Sequence, residues 1–272
     1  MTNRTYEERR KQGREVLSIL GREGTTPEQF ERAFEDRHGA FGSLALDYMG
    51  GDIWTRSQLS LRDRNLVCVT LLATLSLNQF LPTYLGAGLR RGLSRAEMEE
   101  ALIQVGGYAG MPFGNAAMQV ATEFFDSLPN ADPRQLAAKK SDHQRRADAV
   151  DVLRTLTAGR AASDPEAARA AMVENLGGVG ELAYDFAFGE LWSRDELSRR
   201  DRSLVVVAIL AALSKEQELV FHVPAALNHG VTRDEIEEVM VTLAGYGGFP
   251  RGVEGMRAAR AAFARIDDRE SS

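Results

Sequence analysis

Cysteine is almost absent from this chain, whose 272 residues include one, Cys68. A single cysteine excludes an internal disulfide framework, and it excludes any Cys-x-x-Cys redox or zinc motif. Cys68 lies in the apolar stretch 66–69, which is typical of an inert core thiol rather than a nucleophile. Thiol chemistry is therefore not expected.

Long hydrophobic runs are absent as well. The longest covers residues 204–213 and is 10 residues long, whereas a membrane-spanning helix needs about 20. The charged and polar segment 1–12 has no apolar signal core. We expect a soluble, cytoplasmic protein with no membrane partner.

An excess of positive charge is also missing. The net charge is −6, the pI is about 5.4, and the basic residues are scattered. The chain therefore lacks the electrostatic footprint of a nucleic-acid-binding protein. No group of His, Asp and Glu has convincing metal-ligand spacing, and no glycine-rich phosphate loop follows a predicted strand. We expect neither a nucleic-acid partner nor a metal.

The signals that are present are helical throughout. Apolar residues recur at three and four positions, as in Ile236, Val239 and Met240. Capping boxes mark helix starts at 94–97 and 232–235. Gly92 and Gly230 fall where helices are expected to stop, and the glycine-rich segments 106–112 and 245–250 are interpreted as helix breaks. The fold class predicted is all-α.

The chain contains the same sequence twice. Residues 26–125 align without a gap with residues 164–263 at an offset of 138, and about 40 of the 100 aligned positions are identical. An additional amphipathic helix is predicted before each block, at 14–20 and 149–156. The predicted organisation is a first repeat at 1–128, a polar linker at 129–142 and a second repeat at 143–272.

The most informative difference between the two repeats lies in one short segment. The second repeat reads Glu216-Gln217-Glu218-Leu219-Val220-Phe221-His222, and the first reads Asn78-Gln79-Phe80-Leu81-Pro82-Thr83-Tyr84. The scaffold is retained in both, but the ionisable groups are present in one. The second repeat is therefore predicted to carry an equipped site, and the first a degenerate one.

Glu218 and His222 are four residues apart, so on a helix their side chains lie on one face, one turn apart. A carboxylate beside an imidazole favours the protonated ring and makes a proton donor or acceptor for neutral pH. The alternative is an ordinary surface pair. The apolar neighbours of His222, and Pro224 inside the same helix, favour a site.

Trp192 and Arg194 recur as Trp54 and Arg56 in the first repeat. Retained residues of these types serve core packing and structural ion pairing in most proteins. If they line a cleft instead, the Arg suits a substrate carboxylate and the Trp a planar ring. Both interpretations stay open at the level of sequence.

Several motifs of the second repeat together resemble the carboxymuconolactone decarboxylase family, within the alkylhydroperoxidase D-like superfamily. They are Gly189-Glu190-Leu191-Trp192-Ser193-Arg194, Leu197-Ser198-Arg199-Arg200-Asp201-Arg202-Ser203-Leu204-Val205, Glu218-Leu219-x-x-His222, Ala225-Ala226-Leu227-x-x-Gly230-Val231-Thr232, Glu235-Ile236-x-Glu238-Val239 and Gly245-Tyr246-x-Gly248-Phe249-Pro250. The first repeat matches in scaffold only.

The resemblance implies an all-helical fold of two tandem repeats that assembles into a ring-like oligomer, here a trimer of two-repeat chains. It also implies a reaction without cofactor or metal. Peroxidase relatives need Cys-x-x-Cys, and Glu218 stands where such a cysteine would be. Ser203 and Asn65 replace a Glu typical of those relatives, which favours the decarboxylase branch.

The substrate implied by the resemblance is a small carboxylated lactone, a butenolide such as 4-carboxymuconolactone. Loss of CO2 would leave a dienolate that must be protonated. The residues expected to act are His222 as proton donor and Glu218 as its orienting partner. Arg194, Trp192, Ser203 and Tyr84 are the candidates for substrate binding. Two alternatives remain: lactone isomerisation or hydrolysis without CO2 loss, and a non-catalytic binding or assembly protein.

Overall fold

The fold was examined in a computed structural model that describes residues 4–21, 24–129, 133 and 136–271. Every regular element in these ranges is helical. The first repeat contains α1 (Tyr6–Leu17), α2 (Pro27–His38), α3 (Ala40–Ala45), α4 (Leu61–Thr74), α5 (Leu81–Arg90), α6 (Arg95–Tyr108) and α7 (Met111–Asp126). The second contains α8 (Asp142–Leu156), α9 (Pro165–Leu176), α10 (Gly178–Leu182), α11 (Arg199–Ala212), α12 (Glu216–Asn228), α13 (Arg233–Gly247) and α14 (Phe249–Glu270). The all-α prediction is confirmed.

Each repeat also contains one π-helical segment at a matching place. The first covers Leu46–Trp54 and the second covers Ala183–Leu191, so each leads into a retained tryptophan. Short 3₁₀-helical turns cover Ser18–Leu20 and Asn78–Phe80. The linker predicted at 129–142 lies partly outside the described residues, and α8 begins at its end.

The helix starts follow the capping chemistry predicted from the sequence. The Ser94 and Thr232 side chains accept from the backbone N–H three residues on, and the glutamates there bond back, so both capping boxes are complete. Gly92 and Gly230 end their helices at φ values of 84° and 88°, where glycine is strongly favoured. Both repeats therefore begin and end these helices in the same way.

The glycine-rich breaks fall inside the predicted segments, towards their ends. Helix α6 continues through Gly106 to its end at Tyr108, and the break falls at Gly110, whose φ is 119°. In the second repeat the break falls at Gly248, after α13. Helix α7 then packs closely on α6, because a Cβ added to Gly114 would lie 2.6 Å from the Gly106 Cα.

Helices α4 and α11 form the centre of the molecule. They pack against each other, and residues 63–74 of α4 and 201–212 of α11 are buried throughout. Helix α13 of the second repeat packs on α4, and α6 of the first repeat packs on α11. Each of these two helices also packs on the central helix of its own repeat. Helices α6 and α13 therefore lie at the boundary between the repeats, where they place first-repeat side chains beside second-repeat ones.

None of the helices in the described ranges has the length and apolar content needed to cross a bilayer.

Candidate functional site

Helix α12 begins earlier than its counterpart in the first repeat. Its first residue is Glu216, whereas α5 begins at Leu81, which aligns with Leu219. Pro82 occupies the first turn of α5, and a 3₁₀-helical turn precedes it. The second repeat therefore gains an extra stretch of helix that carries Glu218 on an exposed first turn, where the helix dipole favours a carboxylate.

His222 lies one turn further along and is buried, with 6% of its surface exposed. The Trp192 ring stacks on it at a centroid distance of 6.3 Å, and the Tyr108 ring meets it edge-on at 5.4 Å. Burial lowers the pKa of His222 to about 4. The imidazole is therefore neutral at pH 7 when the site is empty.

Glu218 does not interact with His222 as the sequence suggested. No hydrogen bond or ion pair joins the two in the part of the chain described, and the expectation that Glu218 favours the protonated ring is wrong. The charge of Glu218 acts on Tyr108 instead. Burial, and to a smaller extent that carboxylate, raise the pKa of Tyr108, so its hydroxyl stays protonated.

Tyr108 comes from the first repeat and completes a site that otherwise belongs to the second. Its hydroxyl accepts a 2.7 Å hydrogen bond from Trp192 Nε1. Helix α6 carries it there by packing on α11. Sequence reasoning missed this residue, although its retention as Tyr246 in the other repeat was a usable signal. We call His222, Trp192, Tyr108 and Glu218 the His222 site.

The first repeat contains the equivalent arrangement without a histidine. Trp54 Nε1 donates to the Tyr246 hydroxyl at 3.1 Å, and that hydroxyl donates to the Tyr84 hydroxyl at 2.8 Å. Tyr84 therefore takes the place of His222 in its own repeat. The structure does not bring Tyr84 to the His222 site.

Ser203 reaches the site indirectly, through a second histidine. Its Oγ lies 2.8 Å from His229 Nδ1, and Thr155 Oγ1 lies 3.0 Å from Nε2 of the same ring. The His229 ring contacts Trp192 at a centroid distance of 5.9 Å. Burial, and then the nearby Arg199, lower the pKa of His229. Ser203 and Thr155 therefore hold the His229 ring, and that ring contacts the indole of Trp192.

Arg194 is held in a buried ion pair. Its Nε lies 2.7 Å from Glu100 Oε1, and the other oxygen of Glu100 lies 3.0 Å from Nη1 of the fully buried Arg202. The first repeat repeats the cluster with Arg56, whose guanidinium pairs with Glu238. The guanidinium of Arg194 thus forms an ion pair with Glu100 of the other repeat.

The donor set shows no feature of a metal or thiol site. Within the described ranges, no group of three or more His, Cys, Asp or Glu side chains could hold a metal ion. Cys68 is fully buried, and burial raises the pKa of its thiol to about 12. The groups available for chemistry at the His222 site are an imidazole, a phenol, an indole and a carboxylate.

Two curated relatives match part of this chain. A 4-carboxymuconolactone decarboxylase of Acinetobacter baylyi is 45% identical over 78 residues, which is 29% of this chain and 58% of that protein. A nitrosuccinic acid decarboxylase of Metarhizium robertsii is 37% identical over 76 residues, which is 28% of this chain and 53% of that protein. The chain thus matches little more than half the length of these relatives. The sequence model of the carboxymuconolactone decarboxylase family matches twice, at residues 39–123 and 178–261, and the chain belongs to that family.

Proposed function

We propose that this protein is a cofactor-independent carboxy-lyase that removes CO2 from a carboxylated butenolide such as 4-carboxymuconolactone. The names of both relatives support decarboxylation of a small acid. The observation that carries the proposal is the buried imidazole of His222. It lies in the repeat that carries the ionisable groups, and it is packed between Trp192 of that repeat and Tyr108 of the first.

The reaction needs few groups from the protein. When the carbon–carbon bond to the carboxylate breaks, its electron pair passes through the ring double bond to the lactone carbonyl, and a dienolate forms. The ring itself is the electron sink. The protein must hold the anion, stabilise the oxyanion and deliver one proton to carbon. Trp192 provides a planar wall for the ring, and the protonated hydroxyl of Tyr108 provides a hydrogen-bond donor to the oxyanion.

His222 delivers the proton in this proposal. Its ring is neutral in the empty site because burial penalises the charge. A bound anion within about 4–6 Å favours the charged imidazolium and raises the pKa again. Proton uptake from solvent thus accompanies substrate binding, and the dienolate carbon receives that proton. Glu218 supports the site through Tyr108, and Arg194 supports it through the ion pair with Glu100.

This mechanism predicts two different pH profiles. kcat/KM reports the free protein, so it should decline as the pH rises above about 4. kcat reports the complex, in which the substrate anion raises the pKa of His222, so its plateau should extend to higher pH. Coincident profiles for kcat and kcat/KM would contradict the coupling of proton uptake to substrate binding.

The decisive experiment measures CO2 release from 4-carboxymuconolactone in the presence of a metal chelator. His222→Ala should lower kcat by about 10²–10⁴-fold, the usual contribution of a positioned general acid. His143→Ala is the matched control, because His143 is exposed at the start of α8 and lies outside the site. Full activity in His222→Ala would remove His222 from the mechanism. A product that has kept its CO2 would favour isomerisation or hydrolysis.

We further propose a ring-like homotrimer of two-repeat chains. Large apolar side chains are exposed at equivalent places in both repeats, including Leu44 with Leu182 and Met111 with Phe249. Their recurrence at the offset of 138 favours a symmetric interface that covers both sets. Light scattering after gel filtration should give three times the chain mass of 29.9 kDa. A monomeric mass would contradict this assembly.

A further inference from the structure

A cavity in the first repeat has no role in the proposed reaction. Its volume is about 800 Å³, inside the range of about 300–1,000 Å³ that is usual for small-molecule sites. It lies between α2, the first π-helical segment and α5. We call it the Tyr84 cavity, and its described lining consists of Leu17, Leu20, Gly21, Thr25, Phe30, Ala33, Phe34, Arg37, His38, Ala45, Leu46, Met49, Phe80, Thr83 and Tyr84.

The described part of the lining contains no carboxylate. Arg37 and His38 contribute basic side chains to it from the last turn of α2. Arg37 is exposed and has no ion-pair partner in the part of the chain that is described. Thr25, Thr83 and Tyr84 also line the cavity, and most of the other described lining residues are apolar.

The basic pair is not needed to end the helix. Helix α9 of the second repeat ends in the same way, since Gly177 has a φ of 59° and its counterpart Gly39 has a φ of 56°. At the positions of Arg37 and His38, however, α9 carries Asn175 and Leu176. Two equivalent helix ends thus differ in charge, and the charged one borders the cavity.

The aromatic walls are also specific to the first repeat. Phe30 and Phe34 of α2 stack on each other with their centroids 5.9 Å apart. The aligned residues in α9 are Ala168 and Met172. Thr83, which is small and polar, aligns with Phe221. The first repeat therefore differs from the second not only at the position of His222 but also in the aromatic, hydroxyl and basic residues around this cavity.

We propose that the Tyr84 cavity binds a small carboxylic acid with a planar apolar body, whose ring packs on Phe30 and Phe34 and whose carboxylate meets Arg37 and His38. Tyr84 occupies the place of the proton donor, so this ligand is bound and not converted. The site is distinct from the His222 site, and its existence does not depend on the decarboxylase activity.

The test is a calorimetric titration of the full chain with 2-naphthoate, a planar aromatic carboxylate. The unmodified protein should bind one molecule per chain at this site. The double substitution Arg37→Asn and His38→Leu copies the second repeat and should weaken binding by about tenfold or more, because a hydrogen bond to a charged group is lost. Arg32→Asn is the matched control, since Arg32 lies exposed on the same helix and does not line the cavity.

Three further measurements make the outcome decisive. The neutral 2-naphthamide should bind the unmodified protein at least about tenfold more weakly than the acid. Thr83→Phe, which copies Phe221 at an exposed position, should block the cavity, with circular dichroism reporting an intact fold. His222→Ala should bind 2-naphthoate as the unmodified protein does. Unchanged binding in the double variant, loss of binding in His222→Ala, or no binding by the unmodified protein would each overturn the proposal.

Discussion

The burial of His222 makes the free energy of unfolding depend on pH between about 4 and 6.5. The folded protein holds the pKa of this imidazole at about 4, whereas the ordinary value is 6.5. Between these values the unfolded chain binds a proton that the folded chain refuses, so the free energy of unfolding falls as the pH falls from 6.5 towards 4. At pH 4.5 the unfolded ring is charged and the folded ring mostly neutral, which costs about 2–3 kcal/mol relative to pH 7.5.

Urea denaturation followed by circular dichroism at pH 7.5 and pH 4.5 measures this cost. The comparison is between the unmodified protein and His222→Gln, because the carboxylates that titrate in this range are common to both. The unmodified protein should lose about 2–3 kcal/mol more than the variant on acidification. His143→Gln removes an exposed histidine and should behave as the unmodified protein. If His222→Gln and the unmodified protein lose equal stability, the imidazole is not buried in a neutral form.

Three other predictions follow from contacts between the repeats and within them. Glu100→Gln removes the carboxylate that Arg194 shares with the buried Arg202, and urea denaturation should show a loss of about 3–5 kcal/mol. Tyr108→Phe and Tyr246→Phe each leave a tryptophan N–H unpaired, so each should cost about 1–3 kcal/mol of stability, but only Tyr108→Phe should lower kcat for CO2 release. Gly114→Ala places a Cβ 2.6 Å from a backbone Cα and should cost about 1–3 kcal/mol in thermal unfolding, whereas Gly178→Ala meets nothing within 4 Å and should stay within about 0.5 kcal/mol.

The helical fold could be predicted because its signals involve residues that are close together in the sequence. Ser94 and Thr232 bond to residues three positions on, and Gly92 and Gly230 adopt the positive φ values that end a helix. The exact end of α6 did not follow from the sequence, because Gly106 and Gly110 lie in one glycine-rich segment and the helix continues through the first of them. A glycine inside a helix looks, in sequence, like a glycine that ends one.

The site was predictable to the extent that the two repeats differ. Comparing them located His222, and the structure places Trp192 beside it. The differences between the repeats did not point to Tyr108, because this residue is identical in both and contacts the opposite repeat. Arg194 also contacts the opposite repeat, since its partner Glu100 lies 94 residues earlier in the chain. Neither contact follows from spacing along a helix.

The protonated state of His222 that we predicted from the nearby Glu218 is also wrong. An i,i+4 carboxylate is a neighbour along the helix, but its effect depends on the direction of each side chain and on the solvent around it. Glu218 lies on an exposed turn, whereas the imidazole lies under Trp192 and Tyr108. Desolvation therefore sets the pKa of His222, and the burial that causes it cannot be read from the spacing of residues along the helix.

The packing of α6 and α13 on both repeats makes the two halves of the chain depend on each other. In an assembly of identical single repeats, any substitution appears at every site at once. In one chain with two repeats the corresponding positions can differ, as Tyr84 and His222 do, while Tyr108 of the first repeat completes the His222 site. A substitution in the first repeat can therefore alter a site whose histidine belongs to the second. A gene encoding either half alone would lack one wall of every site.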